Sequence, residues 1–596
     1  MNNDSLRPLD SRFAAQLAAL FPDSNDLAVT SAAWLSRRLA DGHVCLTLGD
    51  AETADWLQTE LGVTAPDTLT WRTALEASAF VGAPGDFQPL ILDGDRLYLH
   101  RYWHYESTLA EMLRERARVA TDDVDLARLR AGLARLFKDS PTDPDWQKVA
   151  AAIAVLRRFA VISGGPGTGK THTLAAILAL LLEQADGAPL RIRLAAPTGK
   201  AAARIAESLD RARRQLDLAD DIRAALPDKA TTLHRLLGLH PGRSQPRHDA
   251  DHPLPLDVLV IDEASMVDLP LMAKTVAALP PQARLILLGD KDQLASVEAG
   301  NVLADICGDG GERPFGADIG ARLKALGIEV NVTHTPQPPL ADSIVLLRHS
   351  YRFAAGGDIA RLAQAVNAAD TAALDTVRAA AGAAVEFLDR PDRAGLLSRA
   401  VDGYRAVFDA TNATDAYAAL NGFRVLCALR RGPDGVEQLN QDIELALRRA
   451  RLAHIPPGNP WYRGRPVMIT RNAPDLGLFN GDVGLCWPDA VEPDRLKVLF
   501  PGPDGALRPL SPQRLPDLET VYAMTVHKSQ GSEFDTVLLL LAERPNPVTT
   551  RELVYTGITR ARSHLVLVAP PAALGAALHT RTRRGSGLHA RCWQPT

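Results

Sequence analysis

Residues 164–171 read Gly-Gly-Pro-Gly-Thr-Gly-Lys-Thr. The apolar run Phe159-Ala160-Val161-Ile162 precedes them and the helix-forming run 174–180 follows, so the glycines sit at a strand-to-helix turn. That is the context a phosphate-binding loop requires. Backbone N–H groups must converge on phosphate oxygens with no Cβ in the way, and the next helix adds its positive N-terminus. In such a loop Lys170 reaches the β- and γ-phosphates and Thr171 holds Mg²⁺. The element commits this part of the chain to a strand–turn–helix α/β fold.

The rest of the pattern agrees. Apolar β-type runs at 159–162, 192–195, 256–261 and 285–288 alternate with alanine-rich helical stretches, the signature of a mostly parallel sheet covered by helices on both faces. Functional residues are then expected at the carboxyl ends of the strands. The Pro-, His- and Arg-rich stretch 238–255 interrupts the alternation and reads as a small insertion. A second α/β pattern occupies about 340–455 and returns after 520, with strand-like runs at 424–429, 536–541 and 565–569. Between these halves, 456–518 is rich in Pro and Gly, with short β-type segments such as 465–469 and the turn Asn480-Gly481, as in a compact β insertion.

With 596 residues the chain exceeds one core, and at about 150 residues per domain three or four are expected. No apolar run near the nucleotide loop approaches a membrane span, and the N-terminal residues lack an export signal, so a cytoplasmic protein is expected. The five cysteines are far apart, without C-x-x-C spacing, and read as reduced structural thiols rather than zinc or iron–sulfur ligands. The net charge of −5 does not advertise nucleic-acid binding, so any such contact must be local. Residues 1–110 carry 7 Lys and Arg against 15 Asp and Glu, together with four of the eight tryptophans, Trp34, Trp56, Trp71 and Trp103. An acidic, aromatic-rich segment suits a protein interface, although the same aromatics can equally fill a small core.

Further polar clusters follow the strands. Val258-Leu259-Val260-Ile261 ends in Asp262-Glu263, 92 residues after Lys170. On a neighbouring strand Asp262 completes a Mg²⁺ shell and Glu263 orients or deprotonates water. The next strand ends in Gly289-Asp290-Lys291-Asp292-Gln293, where the Gln293 amide can report the γ-phosphate; Asp290 and Asp292 can alternatively just cap a turn.

Taken together these residues resemble superfamily 1 helicases, and more closely the RecD family, the α chain of exonuclease V. Residues 196–202 are similar to motif Ia, 232–237 to motif Ib, 262–268 to motif II, 288–300 to motif III, 350–353 to motif IV, 525–534 to motif V and 552–562 to motif VI. The resemblance implies an α/β fold of two RecA-like P-loop NTPase domains with small β insertions, plus an N-terminal mainly helical domain. Its expected divisions are 1–110 for partner docking, 111–340 for the first motor domain with an insertion near 238–256, 341–455 and 519–575 for the second, 456–518 for an SH3-like insertion, and 576–596 for a tail.

ATP and Mg²⁺ are the implied cofactors. The ATP contacts would be Gln147 on the adenine, Gly165, Pro166, Gly167, Thr168, Gly169, Lys170, Thr171 and His172, with Tyr351, Gly531 and Glu533 beside the nucleotide; Thr171 and Asp262 would hold the metal. Lys170, Glu263, Gln293 and the arginine fingers Arg352 and Arg560 would carry catalysis, with Arg562 in a salt bridge. Thr198, Gly199, Lys200, His234, Thr525, His527 and Lys528 would grip single-stranded DNA through its phosphates, without reading bases. The resemblance also implies 5′→3′ movement on the 5′-ended strand of a duplex end. The segment 25–48 is similar to the complex-forming members, whose partners are RecB-like and RecC-like subunits acting in double-strand-break repair and recombination. No nuclease cluster is visible. A free-standing helicase and a DNA-stimulated regulatory ATPase are the other readings.

Overall fold

The computed structural model describes residues 6–594 apart from 120, 122, 139–143, 241–244, 309–312, 352–356, 381, 383, 390, 391, 457, 503, 504, 545 and the side chain of Pro474. Two parallel sheets dominate it. The first runs in the order Ile344–Leu347, Phe159–Gly164, Arg284–Gly289, Val258–Ile261, Ile192–Ala196 and Ala230–Thr232, every pair parallel. The second runs Val385–Leu388, Ala561–Val568, Phe534–Leu540, Phe423–Cys427 and Ala523–Thr525, also parallel throughout. Their central strands are buried on both faces, which is why they read as continuous apolar runs rather than as alternation.

The β insertion is a five-stranded antiparallel sheet ordered Leu507–Leu510, Leu496–Pro501, Val483–Pro488, Pro466–Ile469 and Leu518–Thr520. The 238–256 stretch differs from a β insertion. Its described residues hold no strand, and they fold back as a loop whose Arg247 and His248 N–H groups donate to the Leu237 carbonyl.

In the N-terminal region, helices Pro8–Leu20, Asp26–Ala40, Ala51–Leu61 and Thr68–Glu76 pack on a four-stranded sheet spanning Leu46–Leu99. Asn25, Asp50 and Asp67 start three of these helices by accepting a backbone N–H three residues on. Trp34 and Trp71 meet edge to face at 5.6 Å, and the Trp71 indole donates to Ser31 Oγ at 2.8 Å. Both rings are buried and so is Trp56, so these tryptophans fill the small core.

Three expected boundaries move. The helix His100–Arg118 runs through residue 110 and packs Leu109, Leu113 and Ala117 into the first motor core. The strand Ile344–Leu347 completes the first sheet beyond 340. Within the expected tail, the helix Leu588–Trp593 packs on His100–Arg118, and the buried Glu106 carboxylate accepts from Ser586 Oγ, Gly587 N–H, Arg591 Nε and Tyr98 OH. Sequence periodicity marks helices and strands, whereas these assignments depend on long-range packing.

Among the described residues no helix is long and apolar enough to cross a membrane. The five cysteines are free and buried, and burial holds the thiols of Cys45, Cys307, Cys486 and Cys592 up at about 12.

His43 makes the C-terminal docking pH dependent. It is buried, accepts at Nδ1 from the Gly585 N–H at 2.8 Å, and is pushed down to about 3 by burial and by Arg38 and Arg584. Because the folded value lies below the unfolded one, the contribution of this site is complete above about pH 6.5 and is lost as pH falls toward the folded value. At about pH 5.5 the loss is about 1 kcal/mol. The protection of the amides of residues 584–594, taken as exchange relative to the intrinsic rate at each pH, is expected to fall between neutral pH and that value in the native chain, and to change less in His43→Gln, which keeps an acceptor but does not titrate.

Candidate nucleotide and DNA site

The loop 164–169 turns between the strand Phe159–Gly164 and the helix Lys170–Gln184. Gly169 has φ +80, and a side chain there would collide with the Gln147 amide. Gln147 opens the helix Trp146–Leu156 and donates from Nε2 to Thr168 O at 2.8 Å, so the glutamine is pinned to the loop. The Lys170 ammonium donates to the carbonyls of Gly164 at 2.5 Å and Gly165 at 3.1 Å. His172, one residue past Thr171, meets Phe137 edge-on, and burial lowers its pKa. Ser350 and Tyr351 lie over the loop: Tyr351 N–H donates to Gly167 O at 2.7 Å and Ser350 Oγ to Pro166 O at 3.3 Å. Tyr351 is half exposed beside Gly169. Arg352 lies outside the described residues.

The acidic pair corrects one expectation. Val258–Ile261, which ends in Asp262 and Glu263, is not the immediate neighbour of the loop strand, because Arg284–Gly289 lies between them. After Val258–Ile261 the chain crosses through the helix Leu269–Ala277 and inserts its next strand inward, an order that strand composition does not encode. Asp262 nevertheless feels the charge of Lys170. Burial and the adjacent Glu263 push its carboxyl up to about 6, and Lys170 opposes that rise. Glu263 sits at φ +53, a left-handed conformation that is rare outside glycine and costs on the order of 1 kcal/mol.

The second sheet closes the other side. Gln293 and Tyr555 both donate to Asp290 Oδ2, at 2.9 and 3.0 Å. The Leu294 N–H donates to Thr556 Oγ1 at 3.0 Å, Gln530 Nε2 donates to Leu294 O at 3.0 Å, and the Leu294 side chain is buried in the core of the second motor domain. Arg560 is buried, donates to Thr556 O and Ser532 O, and lies within the electrostatic reach of Glu263 and Glu533; burial lowers its pKa. Glu533 pairs with Arg204 at 3.5 Å and with Arg562 at 3.4 Å, so Arg562 makes a salt bridge. Arg204 also donates to the Gly531 carbonyl, and Gly531 adopts φ +67.

The remaining residues lie along the same seam. Thr198 caps the helix Gly199–Gln215, Gly199 packs on the Phe479 ring, and Arg235 stacks over that ring at 4.7 Å. His234 is exposed beside Arg235. From the second half, Thr525 is half-buried, and the exposed Lys528 reaches Asn480 Oδ1 at 2.9 Å. His527 is held down by burial and by Arg584. Lys200 turns into the seam, donating to Ser532 Oγ at 2.6 Å, and burial with Arg204 and Arg424 nearby lowers it to about 8.

Sequence reasoning missed Arg204, Arg235, Phe479, Tyr555 and Thr556. The last two stand inside residues 552–562, Phe479 stands beside the Asn480-Gly481 turn, and Arg204 lies one turn after Lys200; nothing local marks them as contacts across the seam.

Two parallel sheets joined beside one phosphate-binding loop define the fold of a P-loop NTPase with two RecA-like domains. Residues 2–98 match the family description "RecBCD enzyme subunit RecD, N-terminal domain", 147–299 match "AAA domain" and 520–568 match "UvrD-like helicase C-terminal domain". The chain is 39% identical over 600 residues to RecBCD enzyme subunit RecD of Mycobacterium tuberculosis, covering 98% of this chain and 94% of that one. To the RecD subunit of Haemophilus influenzae it is 34% identical over 609 residues, covering 94% and 93%. The ATP-dependent RecD2 DNA helicase of Deinococcus radiodurans is 31% identical over 443 residues, covering 73% of this chain and 50% of that protein. A crystal structure of Bacteroides Pif1 bound to single-stranded DNA aligns at 16% identity with a TM-score of 0.39, covering 73% and 94%, too low to inform the role of any residue. The chain belongs to the RecD family.

Tyr555→Phe removes one of the two side-chain donors to the buried Asp290. It is expected to lower unfolding stability by about 1 kcal/mol, read as a shift in the denaturation midpoint at unchanged slope.

Proposed function

We propose that this chain is the ATP-dependent 5′→3′ DNA helicase subunit of a RecBCD-type complex, acting in the cytoplasm with RecB-like and RecC-like partners on broken duplex ends. The observation that carries the motor reading is that the second motor domain meets the phosphate-binding loop of the first, where a Cβ at Gly165 would stand 2.7 Å from the Tyr555 hydroxyl, with Arg560 within electrostatic reach of Glu263.

In this reading Gln147 and Tyr351 receive the base side of ATP, and Gly165 to His172 wrap the phosphates. The oxygen donors Thr171 and Asp262 fit Mg²⁺: Asp262 is a partly buried carboxylate beside a second carboxylate, an arrangement that a divalent cation relieves. When bound, the ion supplies charge neutralisation on the phosphate oxygens. Glu263 takes the proton of the attacking water, Gln293 senses the γ-phosphate, and Arg560 with Arg352 stabilises the charge that develops there. Hydrolysis then changes how tightly the two sheets hold together. Thr198, Gly199, Lys200 and His234 on one side, and Thr525, His527 and Lys528 on the other, grip successive phosphates of one strand. Phe479 supplies a ring against which a base can stack. We assign any nuclease activity of such a complex to a partner.

Duplexes with a 5′ or a 3′ single-stranded tail test this directly. Unwinding restricted to the 5′-tailed duplex, and abolished by Lys170→Ala, is the expected result; unwinding from the 3′ tail overturns the polarity. DNA-stimulated ATP hydrolysis with neither duplex opened favours the regulatory ATPase. Solution mass after co-expression with RecB-like and RecC-like chains separates the subunit from a free-standing enzyme.

Lys528→Ala is expected to weaken single-strand binding to a similar degree on all sequences. It should also reduce the slope of log affinity against log salt by about 0.7, the share of one phosphate contact on a single strand.

A further inference from the structure

After the helix Pro571–His579 the chain leaves the second motor domain and crosses to the first. At its start the crossing is tied to the second domain: the Arg551 N–H donates to Thr580 O at 2.8 Å, and Thr582 donates to Glu552 Oε2 from N at 2.9 Å and from Oγ1 at 3.0 Å. Beyond it, the helix Leu588–Trp593 is anchored on Glu106, with the indole of Trp593 donating to Asp305 O at 3.3 Å and Arg313 stacked 3.7 Å over its ring.

Between these anchors, Arg584 sends one guanidinium nitrogen to three acceptors in the segment that follows the strand Arg284–Gly289: Ser296 Oγ at 3.5 Å, the Glu298 carbonyl and Gly300 O at 2.9 Å. The Gly300 N–H in turn donates to Gly42 O at 2.9 Å in the N-terminal domain. Gly42 has φ +90, where an L side chain is strained, and a Cβ there would stand 2.8 Å from Arg584 Cζ and push the guanidinium aside. Next to it, Val44 N–H donates to Gly585 O at 2.7 Å.

The front of that same segment is the part wedged between the two motors. Lys291 N–H donates to Ser163 Oγ beside the phosphate loop at 3.1 Å, and Leu294 accepts from Gln530, three residues from His527. His527 also lies within reach of the Arg584 charge. One short stretch therefore bonds at one end to Ser163, the residue before the nucleotide loop, and in its middle to Gln530, three residues from the proposed grip residue His527, and is held by Arg584 at the other end.

We propose that Arg584 is a positioning residue that couples DNA binding to ATP hydrolysis by fixing the far end of the 290–300 segment, with the N-terminal domain sharing the same hold through Gly42. The inference rests on the reading of the chain as a DNA-stimulated motor ATPase. The C-terminal crossing then acts as a strut between the two motors, and a partner seated on the N-terminal domain has a route to the catalytic segment.

The test uses the full chain with oligo-dT as the DNA. Arg584→Ala is expected to reduce the ratio of DNA-stimulated to basal ATPase kcat about tenfold, the order of loss that a small misplacement of a reacting group causes, with the KM for ATP within about twofold. Thr582→Val, which removes the Oγ1 hydrogen bond to Glu552 but keeps the backbone one and does not touch the 290–300 segment, weakens the strut at its other anchor and should lower the ratio in the same direction by less. A purely structural role reduces the active fraction and so lowers basal and stimulated rates together. A wild-type ratio in both variants, or equal falls in both rates, overturns the proposal. A native chain that hydrolyses no ATP with or without DNA overturns the parent reading instead.

Discussion

Everything in the motor depends on Leu294 and its neighbours crossing the seam. The segment grows out of the first sheet, yet its leucine is buried in the second core, its amide is taken by Thr556, and its carbonyl by Gln530. Burying a leucine side chain contributes about 2 kcal/mol, and each buried hydrogen bond about 1. Those are modest sums, which suits a joint that has to be made and remade within a catalytic cycle. A larger apolar interface would lock the two sheets together.

Charge is handled in the same graded way. The seam brings together Lys200, Arg204, Arg560 and Arg562 with Asp262, Glu263 and Glu533, none of which burial favours when alone. Glu533 is shared by two arginines, and Arg560 feels two carboxylates. The contrasting shifts of Asp262, raised to about 6, and Lys200, lowered to about 8, show burial working against both signs of charge at once. A nucleotide would enter a site whose basic groups are already ordered by acidic ones. By contrast the C-terminal strut docks on the helix His100–Arg118 around fully satisfied groups such as Glu106, which accepts four hydrogen bonds from side chains and backbone.

Much of this was legible beforehand for a physical reason: local chemistry that must meet phosphate is written locally. The loop 164–171, the carboxylates after Ile261 and the strand runs of both sheets are all short-range patterns, and each lies on the expected kind of element. What could not be read is what depends on packing between distant segments. Strand order placed Arg284–Gly289 between the loop and the acidic pair. The tryptophans of residues 1–110 had two readings, and edge-to-face packing of Trp34 on Trp71 decided for the core. Residues 576–594 carry no strong pattern, and only the long-range hydrogen bonds of Thr582, Arg584, Gly585 and the helix Leu588–Trp593 show that they bind the ends of the chain together. Phe479 and Tyr555 were likewise invisible as seam residues, because their partners lie far away in sequence.

The central claim is that nucleotide works by changing the fit of the two sheets across this seam. Since all five native cysteines are buried, cysteines introduced at the exposed positions Glu207 and Thr414, one on each motor domain, can be spin-labelled selectively. The distance between the labels, measured with single-stranded DNA present, is expected to differ between a non-hydrolysable ATP analogue with Mg²⁺ and ADP, and to lose that difference in Lys170→Ala. The same distance distribution in both nucleotide states of the native background would contradict the account.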